Sequence, residues 1–123
     1  QMGRITHLVN NAGGAGPNDP LTLSVERFEE IMRFNVSSAY HLSQLCVPHM
    51  REAGSGNIIN ITSGAARYAQ TQFSAYGTAK AALSHMTRLL AQDFAPVIED
   101  RALEGELRLC LQRIAAQHWR LHA

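Results

Sequence analysis

Two short β-prone runs separated by a long helical pattern constrain the fold of this chain more than any other feature. Residues 5–9 read ITHLV and residues 57–61 read NIINI, and a loop rich in small and polar residues follows each run. The second run is apolar without strict alternation, which is typical of a strand covered on both faces of a parallel sheet. A helix between two strands permits parallel pairing through a right-handed crossover, so the sequence predicts an α/β fold.

Two helical patterns accompany these strands. Ser24 is the predicted N-cap of the first, in which Phe28 and Ile31 recur at helical spacing and which forms one long helix or two abutting ones. Pro48 should bend or shorten the end of this helix. The second pattern covers residues 74–95. Its apolar residues form a stripe: Ala79, Leu83, Met86 and Leu90.

The composition excludes several classes of partner. A net charge of +1 and a charged content of 17% provide no basic excess for binding nucleic acid or an anionic membrane surface. No apolar run approaches the length of about 20 residues that crosses a bilayer. Cys46 and Cys110 lie in helical patterns and the histidines share no ligand spacing, so we expect no metal site. These features predict a reduced, cytoplasmic protein.

The segment AYGTAK, residues 75–80, contains the most distinctive chemistry of the chain. Lys80 is its only lysine among 11 basic residues, and it follows Tyr76 by one helical turn, on the same face. A cation within about 4–6 Å of a phenol favours the phenolate, the form that takes a proton from an alcohol. Tyrosine and lysine also occur at this spacing by chance as a solvated surface pair, so the spacing alone leaves both interpretations open.

Four segments, in order and spacing, resemble the middle of a short-chain dehydrogenase/reductase. LVNNAG, residues 8–13, resembles the family's fourth strand and the loop after it, and FNVSSAY contains Asn35. Ser63 lies thirteen residues before Tyr76, and Lys80 completes the set. Each segment has a simpler interpretation by itself, as a turn, a helix-junction cap or a turn cap. Their joint occurrence on a strand–helix–strand–helix pattern favours the family.

The resemblance implies a hydride transfer between NAD or NADP and a small-molecule secondary alcohol or ketone. It makes Tyr76 the acid or base, with Lys80 favouring the phenolate and holding the nicotinamide ribose. Ser63 would position the substrate oxygen and Asn35 would hold a relay water. Further cofactor contacts are implied for the loop residues Asn10, Asn11, Ala12 and Gly13. Within the family, NNAGGAGP and HLSQLCVPHM look most like the branch that contains bacterial 7α-hydroxysteroid dehydrogenase, which implies a steroid-like substrate.

The resemblance covers residues 1–96, the expected central part of a partial Rossmann-like, doubly wound parallel sheet with long crossover helices. The glycine-rich pyrophosphate turn that family members carry upstream is absent from this sequence, and GGAG, residues 13–16, runs into Pro17 rather than opening a helix. Residues 97–123 read as an unrelated amphipathic helical tail in place of the family's next strand. A frameshift, a truncated gene and a genuine alternative end all remain open.

Two functions follow from these observations. The chain is an oxidoreductase of this family, or it is a catalytically inactive fragment that acts at most as a helix-mediated association module. Without the glycine-rich turn, we expect the isolated 123 residues to bind NAD or NADP poorly, which favours the second hypothesis. Two strands alone leave open edges, and the family pairs its long helices, so we also expect a homo-oligomer through residues 35–50 and 74–92.

Overall fold

The computed structural model describes residues 3–99, with side chains placed as far as residue 94. The main elements, in chain order, are β1 (His7–Asn10), α1 (Val25–Met32), α2 (Ser38–Ala53), β2 (Asn57–Asn60) and α3 (Ser74–Glu99). A π-helical segment, Arg33–Ser37, joins α1 to α2, and a short 3₁₀ turn, Gly64–Ala66, lies between β2 and α3. This order confirms the predicted alternation of strands and helices.

The two strands form a parallel pair in which Asn10 lies opposite Asn60. The parallel pairing confirms the α/β prediction, with α1 and α2 forming the crossover between the strands. Ile58 and Ile59, which point to opposite faces of β2, are each half-buried. The described elements therefore cover each face of this strand only in part. The apolar sequence had predicted a strand that is covered completely on both faces.

The first helical pattern forms a continuous helical stretch. It begins as predicted at Ser24, whose hydroxyl accepts a hydrogen bond from the Arg27 amide at 3.1 Å. Pro48 was predicted to bend or shorten this helix, and the shortening is wrong, because α2 continues to Ala53 and ends at Gly54, where φ is 70°. A proline removes one backbone donor, and the helix extends beyond it when the following residues still find their own acceptors.

The second helix also passes through a proline. The sequence predicted its end at residue 95, but α3 continues through Pro96 to Glu99. The expected boundary between family-like and unrelated sequence, at residues 96 and 97, thus falls within a helix. Most of the predicted amphipathic tail, residues 100–123, lies outside the described residues.

The apolar core joins the first helix to the start of α3. Ile31, Ala75 and Ala79 form its buried centre, and Phe28 and Leu23 pack against them. Of the predicted stripe on α3, the side chains nearest the core are fully buried and the later ones are half-buried. This packing places the start of α3 beside the loop that follows β1. Across the described residues, every helix is too short or too polar to cross a membrane.

Candidate active site

Lys80 lies almost completely buried at the second turn of α3, with 3% of its surface exposed. Its Nζ donates a hydrogen bond to the Ile61 carbonyl at 3.0 Å and lies 5.8 Å from the centroid of the Tyr76 ring. That separation is within the range in which a cation and an aromatic ring attract each other. No carboxylate forms an ion pair with Lys80 in the part of the chain that the structure describes.

Burial lowers the pKa of the Lys80 ammonium below its ordinary value, because the charged form loses solvation. The ammonium has three N–H donors, and the Ile61 carbonyl accepts one of them. Two donors therefore remain for a hydroxyl or another acceptor brought to this site. Burying a cation with a single backbone acceptor is costly, which is characteristic of functional sites rather than of structural ion pairs.

Gly13 brings the loop after β1 into direct contact with this lysine. A Cβ atom at residue 13 would lie 2.7 Å from the Asn35 Oδ1 and 2.9 Å from the Lys80 Nζ. Real Cβ atoms do not approach neighbours this closely, so only glycine fits between the two side chains. The loop, the π-helical segment and α3 therefore meet at one point.

Asn35 holds the loop in place through its side chain, which is completely buried. Its Oδ1 accepts a hydrogen bond from the Gly14 amide at 2.8 Å, while its Nδ2 donates to the Gly14 carbonyl at 3.1 Å and to the Ile31 carbonyl at 2.9 Å. Both donor hydrogens of the amide are thus used. A relay water at Asn35 would have to bind the remaining lone pair of Oδ1 or the backbone carbonyl.

Ser63 caps the 3₁₀ turn, because its Oγ accepts a hydrogen bond from the Ala65 amide at 3.2 Å. The simpler interpretation of Ser63, as a turn cap, is therefore correct as far as its oxygen is concerned. Its hydroxyl proton has no acceptor among the described side chains and backbone, and is free to bond to a ligand oxygen. This turn packs against α3 beside Tyr76, where a Cβ at Gly77 would lie 2.9 Å from the Ala65 carbonyl oxygen. The close approach brings the Ser63 segment to the tyrosine.

Tyr76 is half-buried, and its ring meets Phe73 edge to face with centroids 6.1 Å apart. Its hydroxyl makes no hydrogen bond within the described part of the chain. A phenol that is oriented by ring contacts, but whose hydroxyl is not already paired, can exchange a proton with a bound ligand. The Phe73 contact was not predicted, although the two aromatic residues are three positions apart.

The remaining predicted cofactor residues divide into two groups. Asn10 is buried and donates from Nδ2 to the Asn60 Oδ1 at 2.7 Å, so its side chain joins the two strands. Asn11, Ala12 and Gly13 are exposed, and Gly13 lies against the Lys80 Nζ. Within residues 3–94, no three metal-ligating side chains lie together.

The donors present fit the ribose end of a nicotinamide cofactor better than its pyrophosphate. Two unused N–H groups of Lys80 beside an exposed loop match the hydroxyls of a sugar. A pyrophosphate site needs a glycine-rich turn that opens a helix, whereas residues 11–24 are a loop that reaches α1 only at Val25. The described residues can therefore hold one end of the cofactor.

Four residues that were not predicted take part in the contacts around the site: Asn60, Ile61, Gly77 and Thr87. Three of them act through contacts between distant segments, which no local sequence pattern reveals. Gly77 did carry a signal, because a glycine inside a helical pattern costs about 1 kcal/mol relative to alanine and is retained where something approaches closely.

Comparison with known proteins identifies the family and the fold of the chain. The family model for short chain dehydrogenase matches residues 1–99. An uncharacterised oxidoreductase of Mycobacterium tuberculosis is 44% identical over 103 residues, which cover 83% of this chain and 39% of that protein. The 7α-hydroxysteroid dehydrogenase of Escherichia coli K12 is 42% identical over 93 residues, covering 76% of this chain and 36% of the enzyme. The chain thus spans little more than a third of the length of these relatives.

A solved structure provides the same result in three dimensions. A 7α-hydroxysteroid dehydrogenase complexed with NADH and 7-oxo glycochenodeoxycholic acid superposes with a TM-score of 0.73 at 40% identity. The match covers 76% of this chain and 36% of that one. The two parallel strands and the long helices are therefore part of a Rossmann-like fold, as predicted. The chain belongs to the short chain dehydrogenase family.

Proposed function

We propose that this chain carries the proton-transfer half of an oxidoreductase that uses NAD or NADP to interconvert a secondary alcohol and a ketone. The observation that supports this most directly is the buried Lys80 beside Tyr76, with two ammonium donors unused. The relative whose solved structure is described above was complexed with NADH. When bound, the nicotinamide supplies the hydride that is exchanged with the substrate carbon.

Each site residue has a role that follows from its surroundings. Lys80 binds the ribose hydroxyls with its unused donors, while its Nζ lies 5.8 Å from the centroid of the Tyr76 ring. Tyr76 holds and moves the proton at its hydroxyl, and Ser63 donates its hydroxyl proton to the substrate oxygen. Asn35 fixes the loop against Lys80 through its hydrogen bonds to Gly14.

A hydroxysteroid-like alcohol is the proposed substrate class. The support is the similarity to 7α-hydroxysteroid dehydrogenases at 36–42% identity. The proposed active form contains, besides these residues, a cofactor-binding segment with a glycine-rich turn that opens a helix. We infer that residues 1–96 form the central part of such a domain and that residues 97–123 lie outside it.

Titration of the purified 123-residue chain with NADH and NADPH tests the proposal. We expect the isolated chain to bind weakly, which an enhancement of cofactor fluorescence would detect, and the Lys80→Ala variant to bind more weakly still. Hydrogen bonds to a charged group contribute about 1.5–3 kcal/mol, so the loss should be about tenfold or more. Arg88→Ala, which removes an exposed cation two turns further along α3, is the matched control and should leave the affinity unchanged.

Two results would contradict the proposal in different ways. Equal affinities for the parent chain and Lys80→Ala would remove Lys80 from the cofactor site. No binding up to millimolar NADH or NADPH would exclude autonomous catalysis and favour the second hypothesis, in which the fragment serves only in association.

We also propose that the long helices associate with a second copy of the chain. Leu42 and Leu45, three residues apart on α2, are neighbours on one helix face and are 43% and 54% exposed. Leu89 on α3 is exposed to a similar extent. Apolar side chains presented together in this way support an interface rather than a solvated surface.

Sedimentation velocity over a range of protein concentrations tests this association. We expect the parent chain to sediment as a dimer or larger species and Leu45→Lys to shift toward the monomer, because a charge would be buried in the interface. Leu21→Lys is the control, since Leu21 is 92% exposed in the loop before α1. A monomeric parent chain, or equal shifts for both variants, would contradict an interface on α2.

A further inference from the structure

A chain of buried polar contacts connects the two strands to α3. The Asn10 Nδ2 donates to the Asn60 Oδ1 at 2.7 Å, and the Asn60 Nδ2 donates to the Thr87 Oγ1 at 2.9 Å. Thr87 in turn donates its hydroxyl proton to the Leu83 carbonyl at 2.8 Å, within the same helix. Asn10 and Asn60 are each 6% exposed and Thr87 is half-buried, so loss of these bonds would leave the buried amides of the two asparagines without a partner.

Thr87 and Lys80 attach the same helix to the same end of β2. They are seven residues apart, which is two helical turns, and therefore lie on one face of α3. Lys80 bonds to the carbonyl of Ile61, and Thr87 bonds to the side chain of the preceding residue, Asn60. The end of the strand is thus held at two points along the helix.

The apolar contacts of α3 do not by themselves determine its position along the strand. Two of the three apolar side chains buried in its described part, Ala75 and Ala79, are small, and the burial of the third, Leu83, is favourable without being directional. A hydrogen bond weakens steeply when its angle or length changes, so the Asn60–Thr87 contact selects one position of the helix.

We propose that Thr87 is a positioning residue for Lys80: its hydroxyl, held by Asn60, fixes α3 along β2 so that the lysine Nζ reaches the Ile61 carbonyl. The proposal rests on the proposed role of Lys80 as a cofactor-binding and proton-relay group. The test measures the titration of Lys80 itself and needs neither cofactor nor catalytic turnover.

The surroundings of Lys80 make it a clear reporter of this position. The groups that face it are the Tyr76 ring on α3, Asn35 on the π-helical segment, Gly13 on the loop and the Ile61 carbonyl. Tyr76 is the one titratable side chain among these contacts. A shift of α3 would therefore change the pKa of Lys80 chiefly through its solvation, raising it toward the ordinary value.

The experiment is an NMR titration of the full chain labelled with ¹³C-lysine. Because Lys80 is the only lysine, its ε-carbon provides a single signal that needs no assignment. We expect Thr87→Val, which keeps the side-chain shape and removes the hydroxyl, to move the titration midpoint upward. Thr87→Ser, which restores the hydroxyl, should titrate like the parent chain. Thr78→Val, at an exposed position of the same helix, should do so as well.

A purely structural role for Thr87 predicts a different result. In that case Thr87→Val would lower the melting temperature and leave the Lys80 midpoint unchanged, which would overturn the proposal. If Thr87→Val does not fold, Thr87→Ala removes the same hydroxyl, has a higher helix propensity and carries the same expectation. Failure to bind NADH in the fluorescence titration would contradict the proposed function alone, because the Lys80 signal is read without the cofactor.

Discussion

Truncating Asn35 to alanine should destabilise the 123-residue chain by about 1–4 kcal/mol, because the half-buried amide and carbonyl of Gly14 both lose their partner, and each such loss costs up to about 1–3 kcal/mol where water cannot replace it. That is a large share of the stability of about 5–15 kcal/mol that an ordinary domain possesses. The measurement is a urea denaturation curve followed by circular dichroism. A concurrent loss of cofactor affinity is expected, since the released loop no longer lies against Lys80.

Asn18→Ala is the matched control for this prediction. The Asn18 side chain also bonds to a loop carbonyl, that of Gly16 at 2.8 Å, but this bond is exposed and water can replace it. Its truncation should change the stability by no more than about 0.5 kcal/mol, as is usual for surface substitutions. Similar losses for the two variants would contradict the view that Asn35 holds the loop from within.

Substituting Gly13 by alanine should disturb both partners of the loop at once. The added methyl group would lie 2.7 Å from the Asn35 Oδ1 and 2.9 Å from the Lys80 Nζ. The lysine can withdraw, but Asn35 is fixed by three hydrogen bonds, so we expect overpacking to cost about 1–3 kcal/mol. Denaturation midpoints measure the cost, and the Lys80 NMR signal should move because its Nζ is displaced.

Gly16→Ala serves as the control within the same loop. A Cβ at residue 16 meets no atom within 4 Å, so the substitution adds a methyl group in open space. We expect unchanged or slightly higher stability, because alanine restricts the unfolded chain. If Gly13→Ala proves as stable as Gly16→Ala and leaves the Lys80 signal in place, the close packing around Gly13 is not what shapes the site.

The sequence predicted those parts of the fold that depend on local periodicity. The helical spacing of Tyr76 and Lys80, the N-cap at Ser24 and the parallel strands followed from patterns a few residues long. Two proline signals were overestimated: Pro48 and Pro96 each lie inside a helix, because one missing donor does not end a helix whose other contacts persist.

The parts of the site that the sequence could not reveal depend on contacts between distant segments. Thr87 bonds to Asn60 across 27 residues, and Lys80 bonds to the carbonyl of Ile61 across 19. Every residue has a backbone carbonyl, so the sequence does not indicate which one will accept the bond from Lys80. Asn35 was predicted as a site residue, but nothing in its neighbourhood indicated that its amide would be committed to Gly14, 21 residues earlier. Such pairings arise only when the sheet and helices have assembled.

The π-helical segment around Asn35 also has a consequence for the shape of the first helix. A π-helical turn accommodates one residue more than an α-helical turn, and one residue corresponds to about 100° of rotation around the helix axis. Everything after residues 33–37 is therefore out of phase with what precedes them. Deleting a single residue there would restore an unbroken α-helix but turn the apolar positions of α2, such as Val47 and Met50, away from the neighbours that bury them. Asn35, which holds the loop through its bonds to Gly14, thus lies at the point where the apolar face of the helix changes direction.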